Sequence, residues 1–104
     1  MPVHHVTNTS EFESFIKKDN LVVVDFFAEW CGPCKIIAPK FQKFSDDYSA
    51  ATFIKVDVDQ VADVAASCGI RAMPTFQFYK KGAKVAEVVG ADVKKLEETI
   101  KNNL

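Results

Sequence analysis

Apolar residues recur along the chain in two rhythms. From Asn20 to Ala28 the run NLVVVDFFA is continuously apolar except for one acid, which predicts a central strand buried on both faces. ATFIKVDVD, residues 51–59, is rich in β-branched side chains and reads as another strand. TFQFYKKGAKVAEVVG, residues 75–90, alternates apolar and polar positions, turns at Lys81 and Gly82, then alternates again, the pattern of an antiparallel hairpin. Near the start, HHVT reads as a short first strand.

Between these runs the spacing becomes helical. TSEFESFIKKD puts Phe12, Phe15 and Ile16 on one face, and Ser10 and Glu13 have capping-box spacing, so a start near Thr9 or Ser10 is expected. KIIAPKFQKFSDDYS repeats apolar groups at Ile36, Ile37, Phe41 and Phe44, with Pro39 expected to kink the helix by removing a backbone donor. QVADVAASCGI turns Val61, Val64 and Ala65 inward, with Asp59 the preferred N-cap and Gly69 closing the C-terminus. DVKKLEETIKNNL is an amphipathic helix that Asp92 can cap. The order β-α-β-α-β-α-β-β-α predicts an α/β fold, a mixed sheet of about five strands flanked by four helices, with an antiparallel edge.

A chain of 104 residues with 48% hydrophobic content fits one compact domain, 1–104, whose core needs no disulfide staples. Lys and Arg number 13 against 14 Asp and Glu, so the net charge of −1 gives no reason to expect nucleic acid or an acidic membrane as partner. The longest apolar stretch, Leu21 to Ala28, falls far short of the roughly 20 residues that span a bilayer. The N-terminal residues lack the pattern of a secretory leader or transit peptide, so a cytosolic or nuclear home is the expectation.

Three cysteines do not make a secreted disulfide framework, so Cys31 and Cys34, with only Gly32 and Pro33 between them, read as redox or metal chemistry. If Cys31 opens the helix, Cys34 stands one turn on at a bridgeable separation, and the unpaired amides of the first turn favour a Cys31 thiolate. A thiol whose pKa lies near ambient pH is both sufficiently ionised and sufficiently nucleophilic to reduce a disulfide. Cys31 is therefore the expected nucleophile and Cys34, further inside, the resolving thiol. A zinc site would need two further ligands from His4, His5 and Cys68, and no second CxxC exists; the strand-to-helix setting favours redox, with no metal expected.

Asp25 interrupts the most apolar strand. Burial raises the pKa of an acid unless a cation is near, and Lys55 in the next strand is the candidate cation. From charge and position alone, a buried ion pair and a functional acid remain equal alternatives. Trp30, just outside the strand and beside the thiols, reads as a surface residue rather than core. Cys68, ahead of Gly69, reads first as a small buried apolar residue.

WCGPCK after VVVDFFAE, with RAMPTFQFYKKG downstream, resembles the thioredoxin family over essentially the whole chain; Trp30, Cys31, Gly32, Pro33 and Cys34 match its active-site motif without departure. The resemblance implies the thioredoxin fold and general protein-disulfide reductase activity, with a Cys31–Cys34 redox disulfide and Asp25, partnered by Lys55, accepting the Cys34 proton through water. It implies a cis bond before Pro74, Met73 offering backbone hydrogen bonds to an extended substrate, and a docking patch of Trp30, Gly32, Pro33, Met73, Pro74, Gly90 and Ala91. Asp59 is implied to accept from the Trp30 indole.

Cys68 is implied as a regulatory position, while Ala72 lacks the cysteine often found before the Met-Pro pair, so a monomer is expected. No nucleotide-binding loop is present, so no cofactor is expected on this chain. Electrons are implied to come from NADPH through thioredoxin reductase, with peroxiredoxins, methionine sulfoxide reductases and ribonucleotide reductase as substrates. Two rivals remain: an oxidant or isomerase of the same fold, which would differ between the cysteines, and a binding subunit without redox turnover.

Overall fold

The computed structural model describes residues 2–104. Among them the chain forms β1 (His4–His5), α1 (Thr9–Ile16), β2 (Val22–Phe27), α2 (Gly32–Asp47), β3 (Thr52–Asp57), α3 (Ala62–Ser67), β4 (Thr75–Lys80), β5 (Ala83–Val89) and α4 (Val93–Asn103). The strands make one sheet in the order β1-β3-β2-β4-β5, in which β1, β3 and β2 pair parallel and β4 pairs antiparallel with both β2 and β5. The expected order and mixed sheet are both present.

The unbroken apolar run of β2 has a direct structural cause, since every residue of this strand is buried. Val22, Val24 and Phe26 face one core with Phe12, Ile54, Val56, Val61 and Val64, beneath α1 and α3. Val23 faces the other with Ile37, Phe41, Phe44, Phe53, Phe76, Phe78, Leu96 and Ile100, beneath α2 and α4. Successive strand side chains point to opposite faces, so Asp25 and Phe27 share the α2 side with Val23. Phe41 joins α2 to the sheet, with ring centroids 5.3 Å from Phe53 and 5.6 Å from Phe76.

The hairpin turn lies at Lys81 and Gly82, with φ of 53° and 84°. Two successive positive φ values match the right-handed twist of the flanking strands, and glycine adopts the second without strain. Lys81 N and Gly82 N donate to Lys18 O and Ile16 O at 2.9 and 2.8 Å, tying the turn to the end of α1.

Three local expectations are corrected. Helix α1 starts at Thr9 as expected, but its cap is Asn8, whose side chain accepts from Glu11 N, and not the Ser10–Glu13 box; Glu11 Oε1 accepts from Thr7 N at 2.8 Å. The helix ends at Ile16, short of Asp19. Helix α3 has Val61 at its cap with no side-chain cap bond, so Asp59 is not the cap.

The third correction is Ile36, which is 78% exposed while Ile37 is 1% exposed. Adjacent helical residues lie about 100° apart, so only Ile37 continues the stripe of Phe41 and Phe44. Ile37→Ala should therefore cost about 2–5 kcal/mol in denaturant unfolding, and Ile36→Ala should stay within about 0.5 kcal/mol.

Candidate active site

The site is built at the end of β2, where the chain leaves the buried sheet and starts α2. Cys31 N donates to Ala28 O at 3.1 Å, closing a tight turn that delivers Cys31 to the N-cap position. Its extended backbone, φ −86° and ψ 109°, leaves the side chain facing the first-turn amides, and its Sγ accepts from Cys34 N at 3.2 Å. That amide is one of those a helix start leaves unpaired, so it favours negative charge on Cys31 sulfur. Pro33 occupies the same turn, where its missing N–H removes no helical bond.

A disulfide joins Cys31 and Cys34 with their Cα atoms 5.3 Å apart. The two cysteines are 5% and 4% exposed, so Cys31 is nearly as covered as Cys34. What distinguishes them is their surroundings. Cys31 sulfur receives the helix amide, whereas Cys34 lines a cleft of about 140 Å³ shared with His5, Phe27, Ala28, Glu29, Lys35, Ala38 and Lys55.

Asp25 has no exposed surface, and neither carboxylate oxygen has a hydrogen-bond partner among the described residues. Burial pushes its carboxyl from the ordinary 3.8 up to about 7, with the positive charge of Lys55 pulling the other way. Lys55 stands directly across from Asp25 in the β2–β3 register. Its ammonium nevertheless lies over the Phe27 ring, 4.5 Å from the centroid, instead of bonding the carboxylate. The cation is beside the acid, and desolvation still dominates.

Around the thiols, Phe27, Ala28, Cys31 and Cys34 form a small buried cluster against which Met73 packs. The Met73–Pro74 bond is cis, and Pro74 O accepts from Gly90 N at 2.8 Å. Gly90 has a φ of +97°, in the region where side chains are disfavoured, and Ala91 follows it exposed. Gly32 and Pro33 are exposed, and a Cβ added at Gly32 would meet nothing within 4 Å. Trp30 is 69% exposed, and its indole N–H donates to Asp59 at 3.0 Å. Asp57 accepts from Asp59 N at 2.9 Å and so steadies that acceptor.

Cys68 stands apart. It is half-buried at the end of α3, packed against the core on the opposite face of the sheet. Burial pushes its thiol up, and its carbonyl accepts from Gln77 Nε2 at 3.1 Å. His4 and His5 point to different surroundings: His4 Nε2 meets Glu11 at 2.8 Å, while His5 lines the cleft. Among the described residues no group of three or more His, Cys, Asp or Glu is placed to hold a metal, and no helix is long and apolar enough to cross a membrane.

Phe27 was not singled out in the sequence. Its position two residues after Asp25 on a strand, hence on the same face, was the available signal.

The family profile described as Thioredoxin matches residues 3–102. Thioredoxin-1 of Schizosaccharomyces pombe is 61% identical over 102 residues, 98% of this chain and 99% of that protein. The structure of Plasmodium falciparum thioredoxin superposes with a TM-score of 0.95 at 47% identity, covering 98% of this chain and 100% of that one. Malassezia sympodialis thioredoxin gives 0.94 at 45% identity, covering 98% and 90%.

An acid whose folded-state pKa is raised binds its proton more tightly when folded, so Asp25 favours folding most below about pH 4 and the advantage is lost as pH rises to about 7. Asp25→Asn should therefore stabilise the protein by an amount that grows between those limits and flattens above them, up to about 4 kcal/mol. Urea unfolding of both proteins across that range checks the profile; a gain independent of pH would contradict it.

Proposed function

The chain belongs to the thioredoxin family, with its fold and dithiol protein-disulfide reductase chemistry, and from that premise we propose how its side chains divide the work. The observation that carries the reading is the Cys31–Cys34 pair at the N-terminus of α2, with Cys31 sulfur on a helix amide. In the reduced protein, Cys31 thiolate attacks one sulfur of a substrate disulfide. The substrate S–S bond breaks, a mixed disulfide forms, and one substrate thiolate leaves. Asp25 accepts the Cys34 proton through water, Cys34 thiolate attacks Cys31 sulfur, and the second substrate thiolate departs. Two electrons have then passed to the substrate, and the chain is left with its disulfide.

The substrate docks on Trp30, Gly32, Pro33, Met73, Pro74, Gly90 and Ala91. Backbone hydrogen bonds at Met73 would hold an extended segment as an added strand, which reads few side chains and so admits many proteins. The Trp30–Asp59 hydrogen bond supports this role, because it holds a large exposed ring in place beside the thiols. Lys55 tunes Asp25. For Cys68, burial disfavours the thiolate, which supports packing over regulation.

The family works without a cofactor of its own, with thioredoxin reductase and disulfide substrates. We place NADPH as the electron source behind that reductase, and peroxiredoxins, methionine sulfoxide reductases and ribonucleotide reductase among the substrates. A monomer suffices, since every group invoked lies in one chain, and a cytosolic or nuclear setting keeps its substrates' thiols reduced.

Mixing the reduced protein with a disulfide-bonded polypeptide should give complete reduction with the native chain. A trapped mixed disulfide is expected with Cys34→Ser and no adduct with Cys31→Ser. Equilibration in dithiol buffers should place the midpoint potential on the reducing side of the glutathione couple. A more oxidising midpoint would point to an oxidase or isomerase, and no reversible couple would leave only a binding role.

A further inference from the structure

Three strands place His5, Lys55 and Asp25 in one row, since His5 pairs with Lys55 across β1–β3 and Lys55 with Asp25 across β2–β3. The Lys55 ammonium has two competing places to rest, the carboxylate in the next strand and the face of an aromatic ring. It rests over Phe27 at 4.5 Å, and among the described residues neither Asp25 oxygen has a hydrogen-bond partner. The Phe27 ring is itself held: His5 packs perpendicular to it at 6.2 Å, and it belongs to the buried cluster of Cys31 and Cys34. One ring thus touches the thiol cluster and the cation that faces the buried acid.

We propose that Phe27 is a positioning residue for resolution of the mixed disulfide: its ring holds the Lys55 ammonium off the Asp25 carboxylate, which stays basic enough to take the Cys34 proton. A ring face attracts a cation without donating or accepting a proton, so it competes for Lys55 while leaving the acid free. An ammonium bonded to the carboxylate would stabilise its charge and weaken it as a base. The other charged or titratable groups around the row are Cys34 and Lys35 from α2, Glu29 from the β2–α2 connection and His5 from β1, which line the same cleft, with Cys31 in the Phe27 cluster and Asp57 of β3 paired with Phe27 across β2–β3. Across β4 the neighbour of Asp25 is Phe76, which does not titrate. These groups are common to every variant below.

The proposal rests on Asp25 as proton acceptor, so the test reads the carboxyl and the resolution rate separately. The Asp25 carboxyl is titrated by carbon NMR in the full chain, reduced and oxidised, for the native protein, Phe27→Leu, Phe27→Trp, Lys55→Met and the Phe27→Leu/Lys55→Met double variant. Phe27→Met, which fills the volume without a ring, is carried alongside in case the leucine variant does not fold. Loss of the ring should lower the Asp25 midpoint by about one pH unit as the ammonium closes on it. Phe27→Trp, which keeps a ring face, should restore the native midpoint, and Phe27→Leu should cause no lowering when Lys55 is Met. The pH at which resolution accelerates should move with the midpoint. An unmoved or raised midpoint without the ring, or a lowering that survives in Lys55→Met, overturns the role of Phe27. A lowered midpoint with an unchanged resolution profile overturns Asp25 as acceptor, and the proposal with it.

Discussion

The structure turns on a carboxyl group buried in the sheet with no hydrogen-bond partner among the described residues. Asp25 interrupts β2 on the face that α2 covers, between Val23 and Phe27 of the same strand. An ionised carboxylate there is penalised by lost hydration, and the in-register Lys55 offsets only part of the penalty. The outcome is an acid whose carboxyl is pushed up to about 7. In the proposed mechanism the chemistry beside it uses that carboxyl, which gives the local instability a purpose.

Other features follow from where β2 ends. The strand is buried throughout, and at its end the chain passes from the sheet to a helix start, with Cys31 at the cap and Cys34 one turn in. The helix amides favour charge on Cys31, while Cys34 lines the cleft together with Lys55, the strand partner of Asp25. This difference in surroundings separates two cysteines of nearly equal exposure. The Met73–Pro74 segment and Gly90 close the site from the β4 and β5 side at the same end of the sheet, joined by the bond from Gly90 N to Pro74 O.

Much of this was legible because strong periodic signals dominate it. Continuous burial of β2, the two runs flanking the Lys81–Gly82 turn and the Phe41–Phe44 stripe each leave a pattern readable in a short window. The errors came where two local signals compete. Asn8 with Glu11 and Ser10 with Glu13 have the same spacing, and the chain uses the first pair. Ile36 and Ile37 are equally apolar, and only the phase of the helix against the sheet separates them. At the site, the thiols, Asp25, Lys55 and Trp30 could be named from the chain, but not the resting place of the Lys55 ammonium. That depends on β1, β2 and β3 lying side by side, a long-range register absent from any short window of sequence.

The measurement that most directly tests the account is the single-turnover rate of mixed-disulfide resolution against pH, in the native chain and in Asp25→Asn. If Asp25 accepts the Cys34 proton, the native rate should rise as pH passes about 7, where the buried carboxyl ionises. The asparagine variant should fold, form the mixed disulfide normally and lose that rise. Equal rates and equal profiles in the two proteins would contradict the account, leaving Asp25 a buried acid with no part in the chemistry of the thiols.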